Sequence, residues 1–118
     1  MKNILALVLL VFGSFGAFAE DKLEITQASN PILVDVRTEG EWNDGYIETA
    51  IHIPLNELMQ KIELIAKNKK QRIYLYCRSG NRSGKAEQVL QTNGYIYARN
   101  IGGIKEASSK LQLKIIKK

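Results

Sequence analysis

The chain has 118 residues, of which 45% are hydrophobic and 25% are charged, and it carries a formal net charge of +5 and a single cysteine. This length fits one small domain, and one cysteine excludes an internally disulfide-bonded scaffold. The modest basic excess, without alternating basic and aromatic residues or zinc-type Cys/His spacing, disfavours a dedicated nucleic-acid-binding protein. A small anionic substrate would suit the charge better.

The first 19 residues have the pattern of a secretory signal peptide. Lys2 gives a basic start, residues 4–12 form an unbroken apolar run, and residues 17–19 (Ala-Phe-Ala) match a small-x-small cleavage site. The run is well short of the roughly 20 apolar residues that a membrane-spanning helix needs, which disfavours a membrane anchor. We therefore expect an exported domain over 20–118, periplasmic or secreted, with no stable membrane insertion after cleavage.

The next part of the chain predicts strands and then a helix. A β-branched run over 32–36 is typical of a strand covered on both faces. A helical turn is predicted over 38–43, a turn at Asp44-Gly45 and a short strand over 50–53. Apolar residues at helical spacing then predict a helix, at Leu55, Leu58, Met59, Ile62, Ile65 and Ala66.

The second half of the chain continues this alternation. Strands that alternate with helices through short connections predict an α/β fold, a single domain with a central, mainly parallel sheet and helices on both faces. The basic tail after the last helix is expected to be a solvated end. The predicted elements are a strand over 73–76, a helix over 83–92 capped by Asn93-Gly94, a strand over 95–101, a turn at Gly102-Gly103, a helix over 104–111 and the tail over 112–118.

The single cysteine, Cys77, ends a predicted strand in the segment YLYCRSGNRSGKAE. Ligand sites in open α/β sheets form beyond such strand ends, and a loop entering a helix directs backbone N–H groups toward one point. A thiol held there is expected to have a lowered pKa and to react as a thiolate. Gly80 permits a tight turn, and Arg78 and Arg82 suit an oxyanion. The alternative is a buried structural cysteine, which the polar loop disfavours.

The length of this loop separates two kinds of reaction. Four residues stand between Cys77 and Arg82, whereas a phosphatase loop places its arginine one residue later, where this chain has Ser83. The smaller ring suits one extra sulfur atom on the cysteine better than a tetrahedral phosphoryl group. A phosphatase or an arsenate-reductase-like enzyme is therefore disfavoured.

Four segments stand out in order along the chain, namely LVDVRTEGEW at 33–42, GYIETAIHIP at 45–54, CRSGNRS at 77–83 and NIGG at 100–103. They resemble, in turn, the Asp-Val-Arg-x-x-x-Glu-aromatic segment, the Gly-His-Ile-x-Gly-Ala-x-x-Ile-Pro segment, the active-site loop and the Gly-Gly turn of the rhodanese (sulfurtransferase) family, and together they cover nearly the whole predicted domain. The chain departs from the family pattern at Tyr46, where the family has His, and at Thr49, where it has Gly. With its signal peptide and single short domain, the chain is similar to the exported members of the family.

The resemblance implies a ping-pong sulfur transfer through a persulfide on Cys77. The donor would be thiosulfate and the acceptor cyanide or a thiol, with no metal or organic cofactor. A persulfide carrier or sulfur-binding module without turnover remains the alternative. Substrate binding is assigned by the resemblance to the loop residues Arg78, Ser79, Gly80, Asn81, Arg82 and Ser83.

Several residues outside the loop are given supporting roles. Asp35 and Arg37 match an Asp-x-Arg pair of the family, and Asp35 ends an apolar strand, so it needs a partner. We expect Asp35, Arg37 and Glu41 to be structural, with an Arg37–Glu41 ion pair, and the alternative is that Arg37 lines the pocket. Trp42 is expected in the core. His52 could act as a general base, but an ionised thiolate needs none.

Overall fold

The computed structural model describes residues 30–117, so the predicted signal peptide, the start of the predicted domain and Lys118 lie outside the described residues. No helix within 30–117 is long and apolar enough to cross a bilayer. The elements are β1 (Ile32–Asp35), α1 (Glu39–Asn43), β2 (Tyr46–Ile47), β3 (Ile51–His52), a 3₁₀ turn (Leu55–Glu57), α2 (Leu58–Ile65), β4 (Ile73–Cys77), α3 (Asn81–Thr92), β5 (Ala98–Gly103), α4 (Ile104–Leu111) and β6 (Ile115–Ile116).

Four parallel strands form the central sheet in the order β3-β1-β4-β5. Successive residues of a strand point to opposite faces, and the chain has apolar residues on both. Val34 and Leu75 lie in one buried cluster with residues of α2 and α3, whereas Leu33 and Tyr76 lie in a second cluster with Ala107 of α4. The predicted α/β fold, with helices on both faces of a mainly parallel sheet, is confirmed.

The prediction that the tail over 112–118 is a solvated end is wrong. β6 pairs antiparallel with β2 and forms a second, two-stranded sheet. The Glu48 N–H donates to the Lys114 carbonyl at 2.9 Å, and the Lys114 N–H donates to the Glu48 carboxylate at 2.7 Å. Leu113 and Ile115 pack against the second buried cluster. Strand pairing and the packing of two apolar side chains therefore hold the tail against the domain.

The fourth parallel strand, β5, also differs from its predicted bounds. It begins at Ala98, because Tyr95 is fully buried before it and donates its hydroxyl to the Ala66 carbonyl at 2.9 Å. β5 then continues through Gly102-Gly103, where a turn was expected, and Gly103 pairs with Cys77. The Gly-Gly pair therefore lies beside the end of β4 and its cysteine.

Trp42 was expected in the core, and the structure places it outside. No residue of α1 is buried, and the half-buried Trp42 ring stacks between Tyr46 and His52, with ring centroids 4.0 Å and 4.8 Å away. Aromatic stacking therefore replaces core packing at this residue.

Thr49 lies in the left-handed region, with a φ of +73°. This conformation is unfavourable for a β-branched side chain and easy for glycine. The Ala50 N–H donates to the Ile47 carbonyl at 3.0 Å and closes the turn around Thr49. Thr49 is one of the two departures from the rhodanese pattern, and its backbone adopts a conformation that favours glycine.

Candidate active site

The loop after β4 is shorter than the sequence predicted. α3 begins at Asn81 rather than at Ser83, and Gly80 precedes it with a φ of +97°, a conformation that L-residues rarely adopt. This left-handed glycine lets the chain turn directly from the strand into the helix. Arg82 and Ser83 therefore lie in the first helical turn, whose N–H groups have no partners within the helix.

Cys77 lies at the base of this turn. Its side chain is only 1% exposed, the Gly80 N–H donates to Sγ at 2.9 Å, and the Ser83 hydroxyl oxygen is 3.4 Å from Sγ. Burial alone would raise the pKa of the thiol. Hydrogen bonds from the Ser83 hydroxyl and from the backbone of Ser83, Ser79 and Gly80 outweigh burial and lower the pKa to about 7. A large thiolate fraction near neutral pH follows.

The two arginines of the loop have different surroundings. Arg82 forms a bidentate ion pair with Glu41, with N–O distances of 2.7 and 2.9 Å. Hydrogen bonds from Arg82, and to a smaller extent from Thr38, lower the pKa of Glu41 to about 2. The predicted Arg37–Glu41 ion pair is therefore wrong, because Glu41 reaches across to α3. Arg78 is exposed and forms no ion pair with any residue in 30–117.

Arg37 is instead bonded to Asp35. Its Nε lies 3.0 Å from both carboxylate oxygens, and a terminal nitrogen donates to Asp35 at 2.7 Å and to the Gly45 carbonyl at 2.6 Å. Burial disfavours the charged guanidinium, but Asp35 outweighs burial and raises its pKa. The His52 ring nitrogen donates to the Arg37 carbonyl at 2.8 Å. These contacts join β1, β3 and the turn before β2.

Asn100 of β5 completes the site and was not singled out from the sequence. Its Oδ1 accepts from the Ser83 hydroxyl at 2.7 Å and from the Gly102 N–H at 2.9 Å, and its Nδ2 donates to the Gly80 carbonyl at 3.0 Å. A side chain at Gly103 would lie 2.5 Å from the Arg78 carbonyl, so the strand approaches the loop closely. The only signal in the sequence is that Asn100 precedes the Gly-Gly pair.

A cavity of about 430 Å³ lies beside the loop. Arg78 and Lys105 supply cations to its wall and Glu106 a carboxylate, whereas Cys77 does not line it. Within residues 30–117, no group of His, Cys, Asp and Glu side chains is placed to hold a metal ion. The full lining is Arg78, Ser79, Gly103, Ile104, Lys105 and Glu106.

Comparison with known proteins identifies a family and several relatives. The profile of the rhodanese-like domain matches residues 18–110. Thiosulfate sulfurtransferase PspE of Escherichia coli is 33% identical over 73 residues, which cover 62% of this chain and 70% of the relative. A solved structure described as a rhodanese with anions from E. coli has a TM-score of 0.67 and 28% identity, over 75% of this chain and 99% of that one.

Other relatives show that the same domain occurs in proteins with different names. The uncharacterized protein YqhL of Bacillus subtilis is 40% identical over 83 residues, 70% of this chain and 64% of the relative. A tRNA uridine(34) hydroxylase of Buchnera aphidicola is 30% identical over 89 residues, 72% of this chain but only 28% of the relative. The presence of a rhodanese-like domain alone therefore does not determine the substrate.

Proposed function

Since the chain belongs to the rhodanese-like sulfurtransferase family, we propose that it is a thiosulfate sulfurtransferase that carries sulfur as a persulfide on Cys77. The observation that carries the proposal is the contact of the Cys77 sulfur with the Gly80 N–H at 2.9 Å, together with a thiol pKa lowered to about 7. The similarity to a thiosulfate sulfurtransferase supports the choice of donor.

The proposed reaction has two half-reactions at the same sulfur atom. The Cys77 thiolate attacks the outer sulfur of thiosulfate, a new S–S bond forms, and the original S–S bond breaks, so that sulfite leaves with its electron pair. A persulfide anion remains on Cys77. Cyanide or a thiolate then attacks the outer sulfur and releases the Cys77 thiolate, so no net oxidant or reductant is consumed.

The loop would stabilise the anions of this cycle. The Gly80 N–H and the Ser83 hydroxyl already face the sulfur and would hold the persulfide in a site with little water. Arg78, which is exposed and forms no ion pair with any residue in 30–117, would bind the sulfonate end of thiosulfate. Arg82 would contribute less as a free cation, because Glu41 already neutralises it.

The experiment that tests this function is intact mass spectrometry of the purified chain after treatment with thiosulfate. We expect the mass to rise by one sulfur atom, and added cyanide should remove that atom as thiocyanate over many turnovers. Cys77→Ser is the control, since it removes the only thiol. An unchanged mass would overturn the proposal, whereas a persulfide without turnover would identify the chain as a carrier.

The role of Arg78 gives a separate kinetic prediction. Arg78→Ala should raise the KM for thiosulfate by about threefold to tenfold, the amount expected from one hydrogen bond of ordinary strength at an exposed site, and should change kcat much less. Added salt should raise the wild-type KM in the same direction. Arg99→Ala is the matched control, because within residues 30–117 this exposed arginine bonds only to nearby carbonyls on β5 and before it. Equal KM values in Arg78→Ala and wild type would place the sulfonate elsewhere.

We also propose that residues 1–19 are a signal peptide and that the mature domain over 20–118 acts in the periplasm. The basic start, the apolar run and the Ala-Phe-Ala site support export. Expression of the full chain in a Gram-negative host, followed by N-terminal sequencing of the periplasmic fraction, tests this proposal. A mature protein that begins at Glu20 is expected, and an uncleaved chain in the cytoplasm would contradict export.

A further inference from the structure

We propose that Asn100 is a positioning residue of the sulfur site, because it anchors the Gly80 turn and accepts a hydrogen bond from the Ser83 hydroxyl whenever Cys77 is protonated. This role rests on the proposed use of Cys77 as the sulfur carrier. Within residues 30–117, the Asn100 side chain forms no hydrogen bond with the reacting sulfur. It would act through Gly80 and Ser83, which both hydrogen-bond to that sulfur.

The anchoring half of the role follows from three hydrogen bonds of the Asn100 amide. Nδ2 donates to the Gly80 carbonyl at 3.0 Å, and Oδ1 accepts from the Gly102 N–H at 2.9 Å and from Ser83 at 2.7 Å. The two backbone partners fix which end of the amide is oxygen. The oxygen therefore always faces Ser83.

The switching half follows from the single proton of the Ser83 hydroxyl. This hydroxyl has two acceptors within reach, the Asn100 Oδ1 at 2.7 Å and the Cys77 Sγ at 3.4 Å, and it cannot donate fully to both. When Cys77 is a thiol, the shorter bond to Asn100 is favoured, and the S–H can donate to the Ser83 oxygen. When Cys77 is a thiolate, the charged sulfur is the stronger acceptor.

Ionisation of Cys77 would therefore rotate the Ser83 hydroxyl. The thiol proton passes to solvent, Ser83 keeps its own proton, and its O–H bond turns from Asn100 toward Sγ. The bond that Asn100 loses reduces the gain from the new bond to sulfur. Asn100 thus limits how strongly Ser83 favours the thiolate. It also accepts the hydrogen bond of the Ser83 hydroxyl when the sulfur is neutral.

Several charged groups lie around the site, and none of them is altered by the variants compared below. Arg82 interacts electrostatically with Cys77 and is paired with Glu41, and a Glu87 carboxylate oxygen accepts the Asn100 backbone N–H at 2.9 Å. On the adjacent strand β1, Asp35 is paired with Arg37. A comparison of single and double variants cancels these contributions, because none of these groups is changed.

The test is the pKa of Cys77 in the full chain, measured from the pH dependence of alkylation by iodoacetamide. Four proteins are compared, namely wild type, Ser83→Ala, Asn100→Ala and the double variant. Ser83→Ala should raise the pKa, and it should raise it more when Asn100 is absent. At a pH below the pKa, Ser83→Ala should reduce the thiolate fraction about threefold more in the Asn100→Ala background than in the wild type. This is the effect expected from one modest hydrogen bond. An equal or smaller effect of Ser83→Ala in the Asn100→Ala background would overturn the switch.

A second measurement on the wild type covers the case in which Asn100→Ala does not fold. The side-chain amide resonances of Asn100 should shift with the ionisation of Cys77, because the Ser83 hydroxyl then no longer donates a hydrogen bond to Oδ1. In Ser83→Ala the same resonances should move much less, and an equal shift would overturn the role. Neither measurement uses thiosulfate or an acceptor, so a failure of sulfur transfer and a failure of this network give different results.

Discussion

The reactivity of Cys77 is decided by a balance between burial, which favours the thiol, and hydrogen bonds, which favour the thiolate. With a pKa lowered to about 7, the thiol is the main form below that pH, and thiols attack slowly. The rate of persulfide formation should therefore rise as the pH increases through about 7 and level off above it. Single-turnover rates across the pH range check this, and a rate that still climbs near pH 9, the ordinary pKa, would contradict it.

Thr49 is a second residue whose surroundings give a direct prediction. Its φ of +73° is unfavourable for a β-branched residue, and its side chain is exposed, so glycine would relieve strain without removing packing. We expect Thr49→Gly to stabilise the fold by about 1 kcal/mol, as measured by urea unfolding. Thr92→Gly, at an exposed helical position, is the matched control and should destabilise. A loss of stability in both variants would show that the turn is not strained.

Among the elements, β6 gives the clearest test, because its two residues face different surroundings. Ile115 packs with the second buried cluster next to β2, whereas the neighbouring Ile116 is 37% exposed. Ile115→Asp should lower the free energy of unfolding by about 2–3 kcal/mol, while Ile116→Asp should cost less than about 1 kcal/mol. Chemical denaturation of both variants tests the pairing. Equal losses would mean that the tail does not dock in this register.

The elements also show where local sequence signals are sufficient. The bounds of α4 were predicted correctly, since the apolar period and the preceding glycines agree. α3 begins two residues early because of the left-handed φ of Gly80, which the sequence permits but does not require. β5 begins late because Tyr95 finds its hydrogen-bond partner at Ala66, 29 positions earlier in the chain. A long-range partner therefore sets the start of β5, whereas the backbone conformation of one glycine sets the start of α3.

For the whole molecule, the mainly parallel sheet and the position of Cys77 at a strand end follow from the alternation of strands and helices and from the rule for strand ends, so both could be predicted. The contacts that complete the site could not. Arg82 pairs with a residue 41 positions away, and Ser83 with one 17 positions away. Both pairings depend on how α1 and β5 pack, and the register shift between Leu75 and Cys77 places Gly103 beside Cys77. Such pairings require the folded sheet.

The ion pair of Asp35 and Arg37 joins the end of β1 to the turn before β2, so its loss should lower the stability of the whole fold. Asp35 is fully buried and Arg37 is 6% exposed, and Arg37 also holds the Gly45 carbonyl. Asp35→Ala leaves a buried cation without its partner and should cost about 3–5 kcal/mol. Glu57→Ala, which breaks the exposed pair with Lys61, is the control and should cost less than about 1 kcal/mol.

The double variant Asp35→Leu/Arg37→Met separates the cost of an unpaired charge from the worth of the pair itself. Removing both charges leaves no buried cation, although the Gly45 carbonyl loses its donor. We therefore expect the double variant to recover part of the stability that Asp35→Ala loses, as seen in the midpoint of urea unfolding. If the double variant is as unstable as Asp35→Ala, the hydrogen bonds of Arg37 matter more than its charge. If Asp35→Ala itself is as stable as Glu57→Ala, the structural role expected for this pair is wrong.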